Sequence, residues 1–201
     1  MFRRSNYRQA KDEDLVAALQ KGRLKALEEL YVRYEGKMRH YFYRMTGQDA
    51  ELARDLGQDL FVKVAEKAGE FQVHRSFKTW LYSMAHNMCK NHYRHQLVRS
   101  RVHGELEQEG EALPAAHIIA GIDEAIFRER IDACLGGLDA DRRGAFLLRH
   151  REGLSLREIA DVQGCPLGTV KSRLHYAHRY LAMQLADLKP EIIQEDEQLR
   201  R

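Results

Sequence analysis

The sequence predicts an all-α protein of two small helical domains joined by a flexible linker, the C-terminal one built on a helix-turn-helix. Apolar residues recur at helical spacing along nearly the whole chain, and no sustained alternation of period two interrupts them. A weakly periodic stretch from about Leu97 to Gly121, containing Gly104, Gly110 and Pro114, separates the two helical halves. Near the end of the chain, Gly164-Cys165-Pro166 joins two helices through a turn of three or four residues. The expected divisions are a first domain over 1–97, a linker over 98–122, a second domain over 123–187 and a tail over 188–201.

The elements follow in order. From Asp14 to about Met45, Leu15, Leu19, Leu27, Leu30, Tyr31 and Tyr34 share a helical face, and Gly22 breaks the segment into two helices. Leu52, Leu56, Leu60 (or Phe61) and Val64 predict a helix from Asp49 to about Ala68, closed by Gly69. The next begins near Ser76, carries Phe77, Trp80, Leu81, Met84, Ala85 and Met88, and continues to Tyr93 or beyond. After the linker come helices over Asp123 to Leu135 and Ala140 to Arg151. Ser155-Leu156-Arg157-Glu158 is a capping box that starts a short helix, which Gly164-Cys165-Pro166 ends. In the final helix Val170, Leu174, Ala177, Leu181 and Leu185 form an apolar stripe at steps of four, three, four and four.

Composition excludes several classes. With 201 residues, 44% of them hydrophobic and 31% charged, the chain can bury a core and is not dominated by disorder. No run approaches the roughly 18 apolar residues of a membrane span, and Met1-Phe2-Arg3-Arg4-Ser5-Asn6-Tyr7 leads into polar sequence instead of a signal-peptide core. Cys89, Cys134 and Cys165 are odd in number, widely spaced and without a CxxC pair, as expected of reduced thiols. A cytoplasmic protein without membrane insertion is the expectation.

Lys plus Arg number 33 against 30 acids, a net +3 too small to name a partner; the distribution of charge is more telling. Between Gln72 and Arg101 there is no Asp or Glu, while Arg75, Lys78, Lys90, Arg94, Arg99 and Arg101 are cationic and His74, His86, His92 and His95 accompany them, with His103 just beyond. From Val102 to Glu124 the pattern inverts, with Glu105, Glu107, Glu109, Glu111, Asp123 and Glu124 and no Lys or Arg. A second acid-free run, Gly164 to Ala186, carries Lys171, Arg173 and Arg179. Two basic faces separated by an acidic tether suit two contacts with a polyanion; solvated helix surface is the alternative for either alone.

On the last helix, Thr169, Lys171, Ser172, Arg173, His175, Tyr176 and Arg179 are the candidates for reading duplex DNA. N-terminal residues of a second helix meet the major groove, Lys and Arg bond guanine edges, and the Gly168-Thr169 amides suit a phosphate. A basic helical hairpin with no ligand is the alternative. The earlier block, Ser76-Phe77-Lys78-Thr79-Trp80-Leu81-Tyr82 followed by Ala85, Asn87 and Lys90-Asn91-His92-Tyr93-Arg94, interleaves rings with cations, the combination that binds single strands by stacking and backbone tracking. Phe77 and Leu81 read as core, and Trp80 as either core or stacking face. Asp55 and Asp59 stand one turn apart and share a face on which a partner's Arg could pair. His86, Cys89, His92 and His95 suggest a metal cluster, but steps of three residues carry His86 and His95 to opposite sides of a helix, and no metal and no cofactor is expected.

Gly153-Leu154-Ser155-Leu156-Arg157-Glu158-Ile159-Ala160 followed by Cys165-Pro166-Leu167-Gly168-Thr169-Val170-Lys171-Ser172-Arg173-Leu174 resembles the promoter-binding domain of the extracytoplasmic-function sigma factors of bacterial RNA polymerase, members of the sigma-70 family. The aromatic and basic block resembles the promoter-melting part of the same family. The resemblance spans about Asp14 to Leu185. It implies that Asn87 belongs to a pocket for a flipped-out base of the minus-ten element, and that the loop Phe71 to Ser76, with His74 and Arg75, forms its wall. Lys78 and Trp80 are further contacts to the single strand, and Lys90 and Arg94 meet phosphates. Asp55-Leu56-Gly57-Gln58-Asp59-Leu60-Phe61 resembles the helix that docks on a coiled coil of the beta-prime subunit, which implies polymerase contacts at Asp55, Gln58, Asp59 and Phe61; family members usually carry a larger residue where Gly57 stands.

The implied function is an alternative sigma factor that binds core RNA polymerase through its beta-prime and beta subunits, melts a minus-ten element and reads a minus-thirty-five element. The acidic linker would lie near the RNA exit path. Promoter DNA and core polymerase are the expected partners, and an anti-sigma factor joins them because family members are often held inactive by one. No catalytic residue is expected: the chain shows no Walker loop, no HExxH and no convincing carboxylate cluster. A stand-alone helix-turn-helix regulator, binding a duplex site without polymerase, is the other reading.

Overall fold

The computed structural model describes residues 7–103 and 130–186, with the backbone alone at 97 and 99–103. The acidic run from Glu105 to Glu124 and the tail over 188–201 lie outside the described residues. Among the described residues every regular element is helical. The chain divides into two compact units, one over the residues up to Cys89 together with Asp161–Gln163, the other over Lys90–Ala160 and the residues from Gly164 onward.

In the first unit a 3-10 turn at Tyr7–Gln9 leads to α1 (Asp12–Gln20), whose first turn carries Asp12, Glu13 and Asp14, the charge a helix N-terminus favours. Gly22, at φ +75°, supplies the left-handed backbone that lets α2 (Leu24–Met45) begin two residues later. Asp49 caps α3 (Ala50–Lys67) by accepting from the Leu52 amide at 2.9 Å. A 3-10 turn at Ala68–Glu70 and an exposed loop lead to α4 (Phe77–His103), of which the residues up to Cys89 belong to this unit. α2 packs most extensively on α3 and next on α1. The shared core contains Leu15, Leu30, Met38, Phe42, Met45, Leu60, Val64, Phe77, Leu81 and Tyr82, all fully buried.

A charged cluster ties down the entry to this unit. Arg33 donates to Glu29 at 2.9 Å, to Asp12 at 2.7 Å and to the carbonyls of Ala10 and Tyr7 at 2.8 Å and of Arg8 at 3.1 Å. The Tyr34 hydroxyl donates to the second oxygen of Asp12. Burial, reinforced by that hydrogen bond and the Asp12 charge, pushes the Tyr34 phenol far above the ordinary tyrosine range.

α4 extends ten residues past the Tyr93 to which the sequence carries it at the least, and six past the Leu97 where the linker was expected to begin. No Gly or Pro interrupts α4 before Gly104.

In the second unit the residues 130–134 are helical, a 3-10 turn covers Leu135–Gly137, and three helices follow: α5 (Ala140–His150), α6 (Leu156–Gln163) and α7 (Leu167–Gln184). Asp139 caps α5 through the Arg142 amide at 2.9 Å. Ser155 and Glu158 form the reciprocal capping box of α6, at 3.3 and 2.8 Å. Gly164 ends α6 at φ +59°, and Pro166 opens α7, so the turn is set by a left-handed residue followed by one that cannot donate. Val170, Leu174, Ala177, Leu181 and Leu185 are all buried. Arg143 is buried as well, donating to the carbonyls of Gly136 and Leu138 at 2.6 and 3.0 Å and to the Tyr93 hydroxyl at 2.6 Å, which pins the 3-10 turn. At Gly137 a Cβ would overlap the Tyr180 hydroxyl, so the ring of Tyr180 closes over bare backbone.

Two stability predictions follow from the charged cluster. Arg33→Ala leaves Asp12 and Glu29 without their guanidinium and three carbonyls without a donor, and lowers unfolding free energy by about 2–3 kcal/mol in urea titrations. Because the folded state holds the Tyr34 proton more tightly than the unfolded chain, the associated stability is intact below about pH 10 and is lost as pH rises beyond it. Thermal melts between pH 8 and 11 should show that decline in the wild type and a shallower one in Tyr34→Phe.

Candidate polymerase and nucleic-acid interfaces

The exposed side of α3 is set by its buried side. Ala53, Leu60, Phe61 and Val64 face the core, which leaves Asp55, Gln58 and Asp59 on an outer ridge at steps of three and four residues. Asp55 lies 3.7 Å from Arg54, an exposed pair that costs little to separate. Phe61, expected on this ridge, turns inward: it is 6% exposed and meets Tyr31 edge-on, with ring centroids 4.8 Å apart. The reason is its place next to Leu60, on the buried flank. Val62, 57% exposed and four residues from Gln58, takes the outer position instead. A Cβ at Gly57 would meet nothing within 4 Å, so a side chain at this position would start into open space.

On α4 the core side is Phe77, Leu81, Tyr82, Ala85, His86 and Cys89, all fully buried. Trp80, Asn87 and Arg94 recur at steps of seven residues along the opposite side, beside Lys90. The half-buried Trp80 ring leans on Phe71 at 5.1 Å and Phe77 at 6.0 Å, so one face of the indole is core and the remainder is open. Asn87, Lys90 and Arg94 are exposed; Arg94 donates to Asn91 at 3.0 Å and Lys90 lies 3.2 Å from Asp141. Upstream, His74, Arg75 and Ser76 are exposed in the loop, and Ser76 accepts from the Thr79 amide at 3.2 Å as the cap of α4. Two expected members do not join this surface. Phe71 is 4% exposed, its ring spent on packing. Lys78 is two positions from Trp80, which places it on the other side of the helix. Of the suspected metal cluster, His86 instead faces the Tyr41 hydroxyl at 3.2 Å within the core, and His95 is exposed.

The outer ridge of α7 carries Ser172, His175, Tyr176 and Arg179, all exposed, with half-buried Thr169 and Lys171 at its near end and Met183 at its far end. The Thr169 amide already donates to the Pro166 carbonyl at 2.9 Å, so it is engaged in the first turn instead of being offered to a phosphate. Arg173 leaves the ridge as well. Its guanidinium donates to Asp141 and, at 3.3 Å, to the Cys165 sulfur, and its side chain is only 19% exposed. The apolar stripe at 170, 174 and 177 turns position 173 toward the start of α5, where Asp141 waits. Arg142, not singled out from the sequence, stands in its place at the edge of the ridge. Its guanidinium lies 3.6 Å over the Tyr176 ring and pairs with Asp139 at 3.1 Å. Only the packing of α5 against α7 brings Arg142 to Tyr176, and no local signal in the sequence reports it.

A two-unit helical protein with a basic, acid-free recognition ridge on its helix-turn-helix belongs to the class that reads nucleic acid. The family model described as Sigma-70 region 2 matches residues 30–97, and that described as Sigma-70, region 4 matches residues 128–181. The chain is 33% identical over 187 residues to the RNA polymerase sigma-H factor of Pseudomonas aeruginosa, covering 90% of this chain and 96% of that one. It is 32% identical over 179 residues to the ECF RNA polymerase sigma-E factor of Escherichia coli, covering 84% and 91%. Its fold resembles the sigma factor RpoE of Bartonella quintana, solved in complex with the anti-sigma factor NepR, at TM-score 0.66 and 23% identity over 81% of this chain and 98% of that one. A similar likeness, TM-score 0.64 at 24% identity over 87% and 97%, holds to CnrH in complex with the cytosolic domain of CnrY. The chain belongs to the extracytoplasmic-function group of the sigma-70 family, and it is an alternative sigma factor.

The divided roles of the two arginines give a direct test. Arg173→Ala, which strips Asp141 and Cys165 of their guanidinium, should destabilise the second unit by about 1–3 kcal/mol, whereas Arg179→Ala should change it by less than about 0.5 kcal/mol. Thermal denaturation of the two variants separates these outcomes.

Proposed function

We propose that this sigma factor docks on core RNA polymerase through Asp55, Gln58, Asp59 and Val62, with the two carboxylates pairing to cations of the beta-prime subunit. The α4 ridge of Trp80, Asn87, Lys90 and Arg94, with His74, Arg75 and Ser76 of the loop, takes the displaced strand of the minus-ten element: the indole offers a stacking face, Asn87 a base-edge partner, and the cations track phosphates. The α7 ridge of Thr169, Lys171, Ser172, His175, Tyr176 and Arg179 reads the minus-thirty-five element as duplex. Phe71, Phe61 and Arg173 support these surfaces from within instead of touching the ligand. The chain contributes no catalytic group; nucleotide addition belongs to the polymerase, and the site of action is the cytoplasm, where promoter DNA lies. An anti-sigma factor is a further expected partner, since one protein of like fold, the sigma factor RpoE, is solved bound to one.

The observation that carries this reading is the pairing, in one chain, of a ridge on α4 that sets a half-buried ring beside exposed cations with an acid-free ridge on a helix-turn-helix. A stacking ridge has no use in a protein that only reads closed duplex.

The test is co-purification with core polymerase together with run-off transcription from genomic promoter fragments. The wild type should bind core and direct discrete transcripts, and the Asp55→Ala, Asp59→Ala double variant should lose at least about tenfold in both. A wild type that ignores core while binding a duplex fragment by itself would favour a stand-alone regulator. Raising salt from about 50 to 200 mM should weaken promoter binding steeply, and Arg179→Ala should reduce the slope of log affinity against log salt by about 1.

A further inference from the structure

We propose that Glu13 and Gln20 of α1 are positioning residues for strand capture, holding the two ends of the loop over 72–76 in the shape that receives the displaced strand. The inference deepens the single-strand reading above and rests on it.

The loop is an unusual segment. Gln72, Val73, His74, Arg75 and Ser76 are all exposed, yet they lie between Phe71, 4% exposed, and Phe77, fully buried, whose rings meet edge-on at 6.2 Å. Ring burial fixes where the flanking side chains go but leaves backbone groups to be satisfied. The Phe71 carbonyl precedes the loop, and the Phe77 amide is the first of α4, one of the N–H groups a helix cannot pair internally. α1 supplies both partners. Gln20 Nε2 donates to the Phe71 carbonyl and to the Ala68 carbonyl, each at 2.9 Å. Glu13 Oε1 accepts from the Phe77 amide at 3.0 Å. Residues 13 and 20 are seven apart, two turns of helix, so one side of α1 grips both ends of the loop.

This arrangement has a consequence for function. The Glu13 carboxylate also sits at the positive end of α4, where a negative charge is favourable, and Ser76 caps another amide of the same first turn, that of Thr79. With its ends tied and its start braced, a five-residue loop retains few backbone choices, so little ordering is left to be done when a strand arrives. Strand capture already carries the cost of unpairing and unstacking a base, and a loop that had to order at the same moment would add to it.

Two readouts test the inference, one with DNA and one without. In holoenzyme on a duplex promoter, with opening followed by 2-aminopurine fluorescence, Gln20→Glu, which keeps the shape but loses the donor, and Glu13→Ala should each slow opening by about tenfold. Glu13→Gln, which keeps an acceptor oxygen, should open within about twofold of wild type, and duplex binding at the upstream element should be unchanged in all three. Arg33→Ala, which weakens the same unit elsewhere, should lower the melting temperature without slowing opening at temperatures below it. Separately, in the free protein, tryptic cleavage after Arg75 should be about tenfold faster in Gln20→Glu and Glu13→Ala than in wild type or Glu13→Gln. Opening at the wild-type rate in Gln20→Glu and Glu13→Ala, or slowing matched by Arg33→Ala, would overturn the inference, as would unchanged cleavage after Arg75. Wild-type holoenzyme that captures no strand at all would overturn the single-strand reading itself, and the positioning role with it, whereas failure of the variants alone leaves that reading standing.

Discussion

Each surface proposed above to meet a partner is the reverse side of a helix whose other side is core, and burial of that other side fixes which residues face out. On α7, Val170, Leu174, Ala177 and Leu181 are fully buried, and a typical aliphatic side chain gains about 1.5–3 kcal/mol by leaving water. Rotating the helix to present a different ridge would expose several of them at once. Ser172, Tyr176 and Arg179 are therefore held outward by forces much larger than any single hydrogen bond they make. The same holds for α4, where Phe77, Leu81, Ala85 and Cys89 turn Trp80, Asn87 and Arg94 out, and for α3, where Leu60 and Val64 do so for Asp55 and Asp59.

Charge then divides the polar residues into those kept for structure and those left for partners. Arg33, Arg143 and Arg173 are each held by protein acceptors and largely shielded, which is where the guanidinium's several donors are most useful. Arg94 and Arg179 remain on the surface. A cation held by a carboxylate would have to give up that partner before meeting a phosphate, so a residue's value at an interface cannot be judged from its charge alone. Asp141 shows the point: within the second unit it receives both Arg173 and Lys90, so a phosphate at Lys90 would have to compete with that carboxylate.

Much of this was legible in the sequence because it depends on periodicity and local rules. The two-unit helical organisation, the Ser155 capping box, the glycine-ended α6 and the buried stripe of α7 all follow from residues within a few positions of one another. What was not legible depends on contacts distant in sequence or on a single step of helical phase. Phe61 and Val62 differ by one position, and only packing against Tyr31 decides which is inside. Arg142 reaches Tyr176 from another helix. Arg173 looked like a reader because the partner that removes it, Asp141, is 32 residues away. Glu13 and Gln20 lie more than fifty positions from most of the loop they brace and carry no motif at all. How far α4 runs past Tyr93 was hard to read for a different reason: weak apolar periodicity marks a helix with little buried surface as readily as it marks a linker, and α4 continues to His103.

The central claim is that two outward ridges meet two forms of the same promoter, one opened and one closed. A photoreactive phenylalanine analogue placed singly at position 87 on α4 and at position 176 on α7, in holoenzyme on one promoter, tests it most directly. The account predicts that position 87 crosslinks to one strand near the start site, only under conditions that open the DNA, while position 176 crosslinks to upstream duplex under all conditions. Crosslinks from both positions to the same closed duplex, or from position 87 before any opening, would contradict it.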